Sequence, residues 1–339
     1  MSITISDIAS QAGVSKATVS RVLNQSGYVH ENTRYRIEEI IRRNNYMPSA
    51  TARNLANKQT KTIGMIIPEA DNAFFGEILK GVSQVAFQNN YALIFCDTQN
   101  NRLIEEKALL SLKEQRVVGL IYTPSSDYSE PVYRKRLKEL LDALETQIVF
   151  LDRAIDHLTL DGVFFENRHS AYVATEALIN AGNRRIGVIT GNLDLQIGRE
   201  RYQGFCQAMK AHDLPICPQY VYKGDFMLDT AYRITKEFLA SGDYPEAVLT
   251  SNNRTTMGFV KAVNQAGLVI GQDIAAIGID YVEALDLFSV NFSYIERNTL
   301  LMGQTVMHQL LERIKNPYKP HEICNIPFQV VLKGSERRG

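Results

Sequence analysis

Residues 4–24 read Thr4-Ile5-Ser6-Asp7-Ile8-Ala9-Ser10-Gln11-Ala12-Gly13-Val14-Ser15-Lys16-Ala17-Thr18-Val19-Ser20-Arg21-Val22-Leu23-Asn24. Thr4 with Asp7 three residues later marks a helix start. Ile5, Ile8, Ala9 and Ala12 then recur at helical spacing. Gly13 stops that helix, because glycine reaches the positive-φ backbone that a tight turn needs. Ser15 is a good N-cap for a second helix running from Lys16 to Leu23. Val19, Val22 and Leu23 form its inward stripe, and Lys16, Ala17, Ser20 and Arg21 face outward. Two short helices, a glycine turn and a polar outer face make a helix-turn-helix, whose second helix is suited to a DNA major groove. A third helix from Asn32 carries Ile37, Ile40 and Ile41 inward and ends near Asn45, Tyr46 and Pro48. A plain three-helix bundle would need the same core but not the same outer face.

Charge separates those two readings. The 339 residues carry 37 Lys and Arg against 37 Asp and Glu, so the formal net charge is zero. Residues 1–61 hold nine basic residues and four acids, a net +5, which leaves −5 for the rest. A basic head on an acidic body suits a polyanion, because Lys and Arg contacts to phosphates supply most non-specific DNA affinity. The apolar fraction of 45% is ordinary for a globular chain, and the length implies two or three domains. Cys96, Cys206, Cys217 and Cys324 are scattered without a CxxC pair, which argues against a zinc site and a disulfide framework. No apolar run has the length of a membrane span, and no export leader precedes the first helix pattern. A cytoplasmic protein with no membrane partner, no metal and no cofactor is expected.

The run from Ile5 to Asn24 resembles the headpiece of the lactose/galactose-repressor (LacI-type) family of bacterial transcriptional regulators. The resemblance continues through Asn45-Tyr46-Met47-Pro48 and over the whole chain. It implies that Lys16, Ala17 and Arg21 occupy base-reading positions, with Arg21 able to pair with guanine in bidentate fashion. Thr18 and Ser20 would sit near phosphates, and Thr4, Ser15 and Asn24 complete the expected DNA-contact set. Residues 49–57 have good helical content but little apolar surface, and so short a helix is unstable alone. The family pairs this hinge helix in the minor groove. Leu55 then matches a wedge leucine between central base pairs, flanked by Ala52 and Arg53.

From Thr62 onward, short apolar strands alternate with helices. Strands 62–68, 92–96, 119–122 and 148–151 are separated by helices 75–89, 103–114 and 133–144. The pattern restarts with strands 162–165, 185–190, 219–221, 247–250 and 275–279, separated by helices 170–181, 202–212, 229–240 and 256–266. This alternation predicts parallel sheets with helices on both faces. Two consecutive α/β lobes imply a cleft. The resemblance implies a periplasmic-binding-protein-like body in which the chain crosses between lobes three times. The expected division is a headpiece over 1–48, a hinge helix and linker over 49–61, and an effector-binding and dimerisation body over 62–339. Within the body, lobe one takes 62–161 and 293–322, and lobe two takes 162–292 and 323–339.

In open α/β sheets ligands sit beyond the carboxyl ends of the strands. Asp152 and Arg153, Asn252 and Asp280 fall just there, with side chains able to bridge hydroxyls. The resemblance points to Asp152, Arg201, Asn252 and Asp280 as effector ligands, to Phe75 and Phe226 as rings that stack on a sugar or base, and to Arg297 as a further cleft residue. The family commonly has Asn-Asp where this chain has Asn252-Asn253, and often a second Asp where it has Tyr281. Arg201 and Arg297 together would make the pocket cationic, so a sugar acid or sugar phosphate joins neutral sugars as an expected effector. Catalytic motifs are missing: there is no GxSxG, GxxxxGK[ST] or HExxH, and the six histidines are dispersed. A regulator whose body binds a partner protein stays open beside the metabolite reading. The expected working form is a homodimer on near-palindromic operator DNA.

Overall fold

The computed structural model describes residues 3–23, 26–46 and 60–339. They form two units, divided between Lys61 and Thr62.

The first unit holds α1 (Ile5–Ala12), α2 (Lys16–Leu23) and α3 (Glu31–Arg43). At the start of α1, the Asp7 amide donates to Thr4 Oγ1 at 3.3 Å while the Thr4 amide donates to Asp7 Oδ2 at 2.9 Å. This reciprocal capping satisfies two amides that a helix start leaves without partners. Gly13 follows with φ at 63°, the left-handed backbone the turn requires. Ser15 Oγ then accepts from the Thr18 amide at 3.2 Å and starts α2. Ile8, Ala12, Val19, Val22, Val29 and Ile37 close the core.

In the body, β1 (Thr62–Ile67), α4 (Ala73–Gln88), β2 (Ala92–Asp97), α5 (Arg102–Glu114), β3 (Gly119–Tyr122), α6 (Pro131–Asp142), β4 (Gln147–Leu151) and β5 (Asp161–Phe165) build the first lobe. The chain then passes to the second lobe for α7 (Asn167–Asn180), β6 (Ile186–Ile189), α8 (Gln196–Ala211), β7 (Val221–Tyr222), α9 (Leu228–Ser241), β8 (Ala247–Thr250), α10 (Asn253–Gln265), β9 (Ala275–Ile279), α11 (Glu283–Leu287) and β10 (Ser293–Arg297). It returns for α12 (Thr299–Lys315) and β11 (Ile323–Ile326), and crosses a third time into β12 (Phe328–Val331). The first sheet has the order β11-β5-β4-β3-β1-β2 and the second β12-β10-β9-β8-β6-β7. All pairs are parallel except β10 with β12. Central strands such as β3, β6, β8 and β9 are buried throughout, as strands covered by helices on both faces must be.

Three strands sit in the opposite lobe from the one expected. Segment 162–165 was to open the second lobe, yet β5 pairs with β4, with Val149 beside Asp161. Segment 293–297 was to return to the first, yet β10 pairs with β9. Segment 323–326, expected in the second lobe, pairs with β5 in the first. An apolar run announces a buried strand but not its neighbour, so the pattern alone misplaces each crossing by one element.

Helices α4 and α12 pack backbone to backbone. A Cβ on Gly303 would lie 2.1 Å from the Ile78 carbonyl oxygen, and one on Gly81 2.4 Å from that of Leu300. Beside them α12 contributes Met302, Val306, Met307, Leu310 and Leu311 to the first-lobe core. Arg313, at the far end of α12, holds Asp161 with Nε to Oδ2 at 2.6 Å and Nη2 to Oδ1 at 2.8 Å. Gly303→Ala should therefore force the helices apart and cost about 1–3 kcal/mol. Urea unfolding of the body measures it, and an unchanged midpoint would contradict the close packing.

Candidate functional site

On the first unit the outer face of α2 exposes Lys16, Ala17 and Arg21, with Thr18 and Ser20 half-buried. The helix carries no acid. The Arg21 stem lies against Gly27, with Cδ 3.5 Å from where a Cβ would stand. Two other expected DNA contacts have capping work. The Thr4 hydroxyl donates to Asp7 at 2.7 Å, and this bond together with that from the Thr4 amide holds the Asp7 carboxyl below its ordinary pKa. Ser15 Oγ is bonded to the Thr18 amide and hydroxyl. Asn24, Ala52, Arg53 and Leu55, with the hinge over 49–59, lie outside the described residues.

In the body, strand ends converge between the lobes. Asp152 follows β4 and Asp280 follows β9, with left-handed φ of 62° and 80°. Both bends turn the carboxylates toward Arg297, the last residue of β10. Arg297 Nε donates to Asp280 Oδ1 at 2.6 Å, and Nη1 stands 3.5 Å from Asp152 Oδ1. Its guanidinium also lies 4.2 Å from the Phe74 ring centre and 4.7 Å from that of Phe165. Arg297 thus joins a second-lobe carboxylate to a first-lobe carboxylate and two first-lobe rings.

Arg201, carried inward by α8, is 3% exposed. Its Nε donates to Asn167 Oδ1 at 2.9 Å and its Nη1 to the Ser251 carbonyl at 2.6 Å. Its guanidinium lies 5.6 Å from the Phe226 ring. Burial, with Arg297 nearby, pulls its pKa down to about 10, although Asp280 and Asp152 act the other way. Of the two arginines expected to make the pocket cationic, Arg297 is balanced by Asp280 and Asp152, while Arg201 has only neutral hydrogen-bond partners.

Two other expected ligands have structural duties. Asn252 caps α10: its Oδ1 accepts from the Thr255 amide at 2.8 Å and hydroxyl at 2.6 Å, and its Nδ2 donates to the Phe226 carbonyl at 3.1 Å. That last bond holds Phe226, whose φ is 72°. Phe75 belongs to the first-lobe core, edge-on to Phe74 at 5.0 Å. Phe74 is the ring against Arg297. One helix position, a turn of 100°, separates the two rings, and residue type alone does not choose between them. Tyr281 stands away from the cluster, 42% exposed and bonded to Asp286.

A second set of contacts closes the lobes on each other. Arg254 reaches Asp71 at 2.5 Å and Glu69 at 3.3 Å, and Asn253 Nδ2 donates to Asn72 Oδ1 at 2.8 Å. Sequence reasoning passed over Arg254, although it lies beyond the end of β8 by the same rule that found Asn252. Among the described residues no group of three or more His, Cys, Asp or Glu is placed to hold a metal ion, and no helix is long and apolar enough to cross a membrane.

A helix-turn-helix with a basic outer face, joined to a two-lobed α/β body with polar strand ends between its sheets, defines a DNA-binding transcriptional repressor rather than an enzyme. Residues 4–49 match the model described as bacterial regulatory proteins, lacI family, and residues 60–330 that of periplasmic binding proteins and sugar binding domain of LacI family. The chain is 33% identical over 332 residues to the HTH-type transcriptional repressor PurR of Aliivibrio salmonicida (strain LFI1238), covering 98% of each. It is also 33% identical over 339 residues to PurR of Actinobacillus pleuropneumoniae serotype 3 (strain JL03), again covering 98% of each. The crystal structure of the lac repressor dimer bound to operator and the anti-inducer ONPF is similar at a TM-score of 0.87 and 25% identity, covering 99% of this chain and 100% of that one. The chain belongs to the LacI family of bacterial regulatory proteins.

Removing the Arg297 cation leaves two buried carboxylates unpaired. Arg297→Met should destabilise the body by about 3–5 kcal/mol at pH 7, and Asp280→Asn added to it should recover part of the loss. Chemical denaturation of the three proteins reads both effects, and a stable single variant would contradict the central role of the pair.

Proposed function

We propose that this repressor controls a carbohydrate or sugar-acid catabolic operon and leaves its operator when a small effector enters the cleft. One observation carries the effector reading. Asp152 Oδ1, Arg153 Nε and Arg297 Nη1 are buried without a hydrogen bond, the first and last facing each other only as an ion pair at 3.5 Å, and all three belong to the strand ends between the lobes. Buried polar groups of this kind call for a partner. A hydroxyl donates to a carboxylate and accepts from a guanidinium, so a sugar, sugar acid or sugar phosphate answers all three. Phe226 supplies a flat apolar face beside Arg201.

On the DNA side, Lys16, Ala17 and Arg21 read base edges, while Thr18 and Ser20 with Thr4, Ser15 and Asn24 hold the backbone. Leu55, with Ala52 and Arg53, works in the minor groove. The protein acts in the cytoplasm as a homodimer, each α2 entering one half-site of a near-palindrome. The operator-bound dimer of the lac repressor supports that form. Effector and operator oppose each other by the same factor in both directions.

Selection from a randomised duplex pool should return an inverted repeat. Arg21→Ala should flatten preference at one position of each half-site and cost about 1–3 kcal/mol. With that duplex, fluorescence anisotropy against neutral sugars, sugar acids and sugar phosphates should find a compound that weakens binding. Asp280→Asn should lose that response while still binding DNA. If no compound of these classes alters operator affinity, the effector assignment fails.

A further inference from the structure

Arg153, the residue after Asp152, is 6% exposed. It borders an inter-lobe cavity of about 550 Å³, lined on the first-lobe side by Glu69, Asn100 and Ser125 and on the second by Asn192, Phe226 and Arg254. Its Nη1 donates to Asn100 Oδ1 at 2.8 Å and to the Pro124 carbonyl at 3.2 Å, both neutral partners. Its Nε has none. Of the other cations of the cleft, Arg201 also has only neutral hydrogen-bond partners but does not line this cavity, and the remaining two are paired with acids. Arg297 touches Asp280 and Asp152, and Arg254 touches Asp71 and Glu69.

The acids that line the same cavity are engaged elsewhere. Glu69 accepts from Asn72 at 3.0 Å and Asn100 at 2.8 Å besides Arg254. Asp71 is bonded to Arg254. Asp97 and Asp225 accept the amides of Gln99 and Met227 within their own turns. Burial is the largest influence on Arg153 and lowers its pKa, against the attraction of Asp152, Glu69 and Glu105. A buried guanidinium with only neutral partners is costly to keep. The fold nevertheless holds it in place. Pro124 precedes Ser125, whose amide and hydroxyl are gripped by the fully buried Glu105 at 2.8 and 2.7 Å.

We propose that Arg153 pairs with an anionic group, a carboxylate or a phosphate monoester, on the molecule that occupies this cavity. The effector is then an acid, and Arg153 rather than Arg297 selects it over the neutral compound of the same shape. This rests on the reading of the cleft as the effector site.

The test uses the full-length protein at fixed ionic strength, with sodium chloride replaced stepwise by sodium phosphate or by sodium gluconate, and glucose as the uncharged control. Thermal unfolding and calorimetric titration are followed for wild type, Arg153→Met, Arg153→Lys and Arg21→Met. Phosphate or gluconate should raise the wild-type Tm more than glucose does. A charged hydrogen bond of about 1.5–3 kcal/mol corresponds to roughly a 10- to 150-fold loss of anion affinity in Arg153→Met. Arg153→Lys should keep part of the affinity. Arg21→Met should respond like wild type, and anion binding by the other basic residues of the headpiece is common to wild type and Arg153→Met, so it cancels between them. A response to phosphate alone assigns a phosphate ester, and one to gluconate alone a sugar acid. Arg153→Met removes a buried charge and should fold at least as well as wild type. Equal shifts in wild type and Arg153→Met, or no anion-dependent shift in wild type, would overturn the proposal. Anion binding through Arg153 without any change in operator affinity would uphold it and overturn the release mechanism instead.

Discussion

Arg297 is a cation with nowhere to go but between two lobes. It ends β10, and two residues later α12 begins its return to the first lobe. Taking such a charge out of water costs several kcal/mol, and only close opposite charge and good geometry offset that cost. Asp280 and Asp152 supply the charge, one from each lobe, and the rings of Phe74 and Phe165 supply the faces a guanidinium favours. Both carboxylates are presented by left-handed backbone, a conformation that Asp tolerates better than most non-glycine residues. The lobes therefore meet through a charge each needs the other to bury. Any molecule entering between them must replace those interactions or add to them.

How much of this was legible in the sequence follows from how local each feature is. The helix-turn-helix rests on contacts within a few residues: Thr4 with Asp7, Ser15 with Thr18, Gly13 at its own turn. Those could be read residue by residue. The strands of the body were legible as apolar runs, but their order depends on partners more than a hundred residues away, as for β11 beside β5. Several helix starts were also missed. α8 begins at Gln196 and α7 at Asn167, with no side-chain cap hydrogen bond, so packing rather than capping chemistry sets where they begin.

The site divides in the same way. Strand-end position found Asp152, Asp280 and Asn252, because geometry beyond a parallel sheet is a property of the fold class. It could not tell that Asn252 would be consumed as a helix cap. Nor could it tell that Phe74 rather than Phe75 would face the charge, or that Arg297 would arrive already balanced. Residue type tells which chemistry is available, and packing decides which side chains stay free to use it.

The order in which the first lobe is assembled has a consequence for how the protein is made. Its sheet and core are begun by residues 62–165 but completed only by α12 and β11, which supply Met302, Val306, Met307, Leu310 and Ile326. A whole second lobe is translated in between, which at ribosomal speed takes on the order of ten seconds. The DNA-binding unit, by contrast, has its entire core within the first 46 residues. On the ribosome the reading head is finished first, while the lobe next to it in sequence stands open along one apolar face, exposed to chaperones and to neighbouring nascent chains until the last helix emerges.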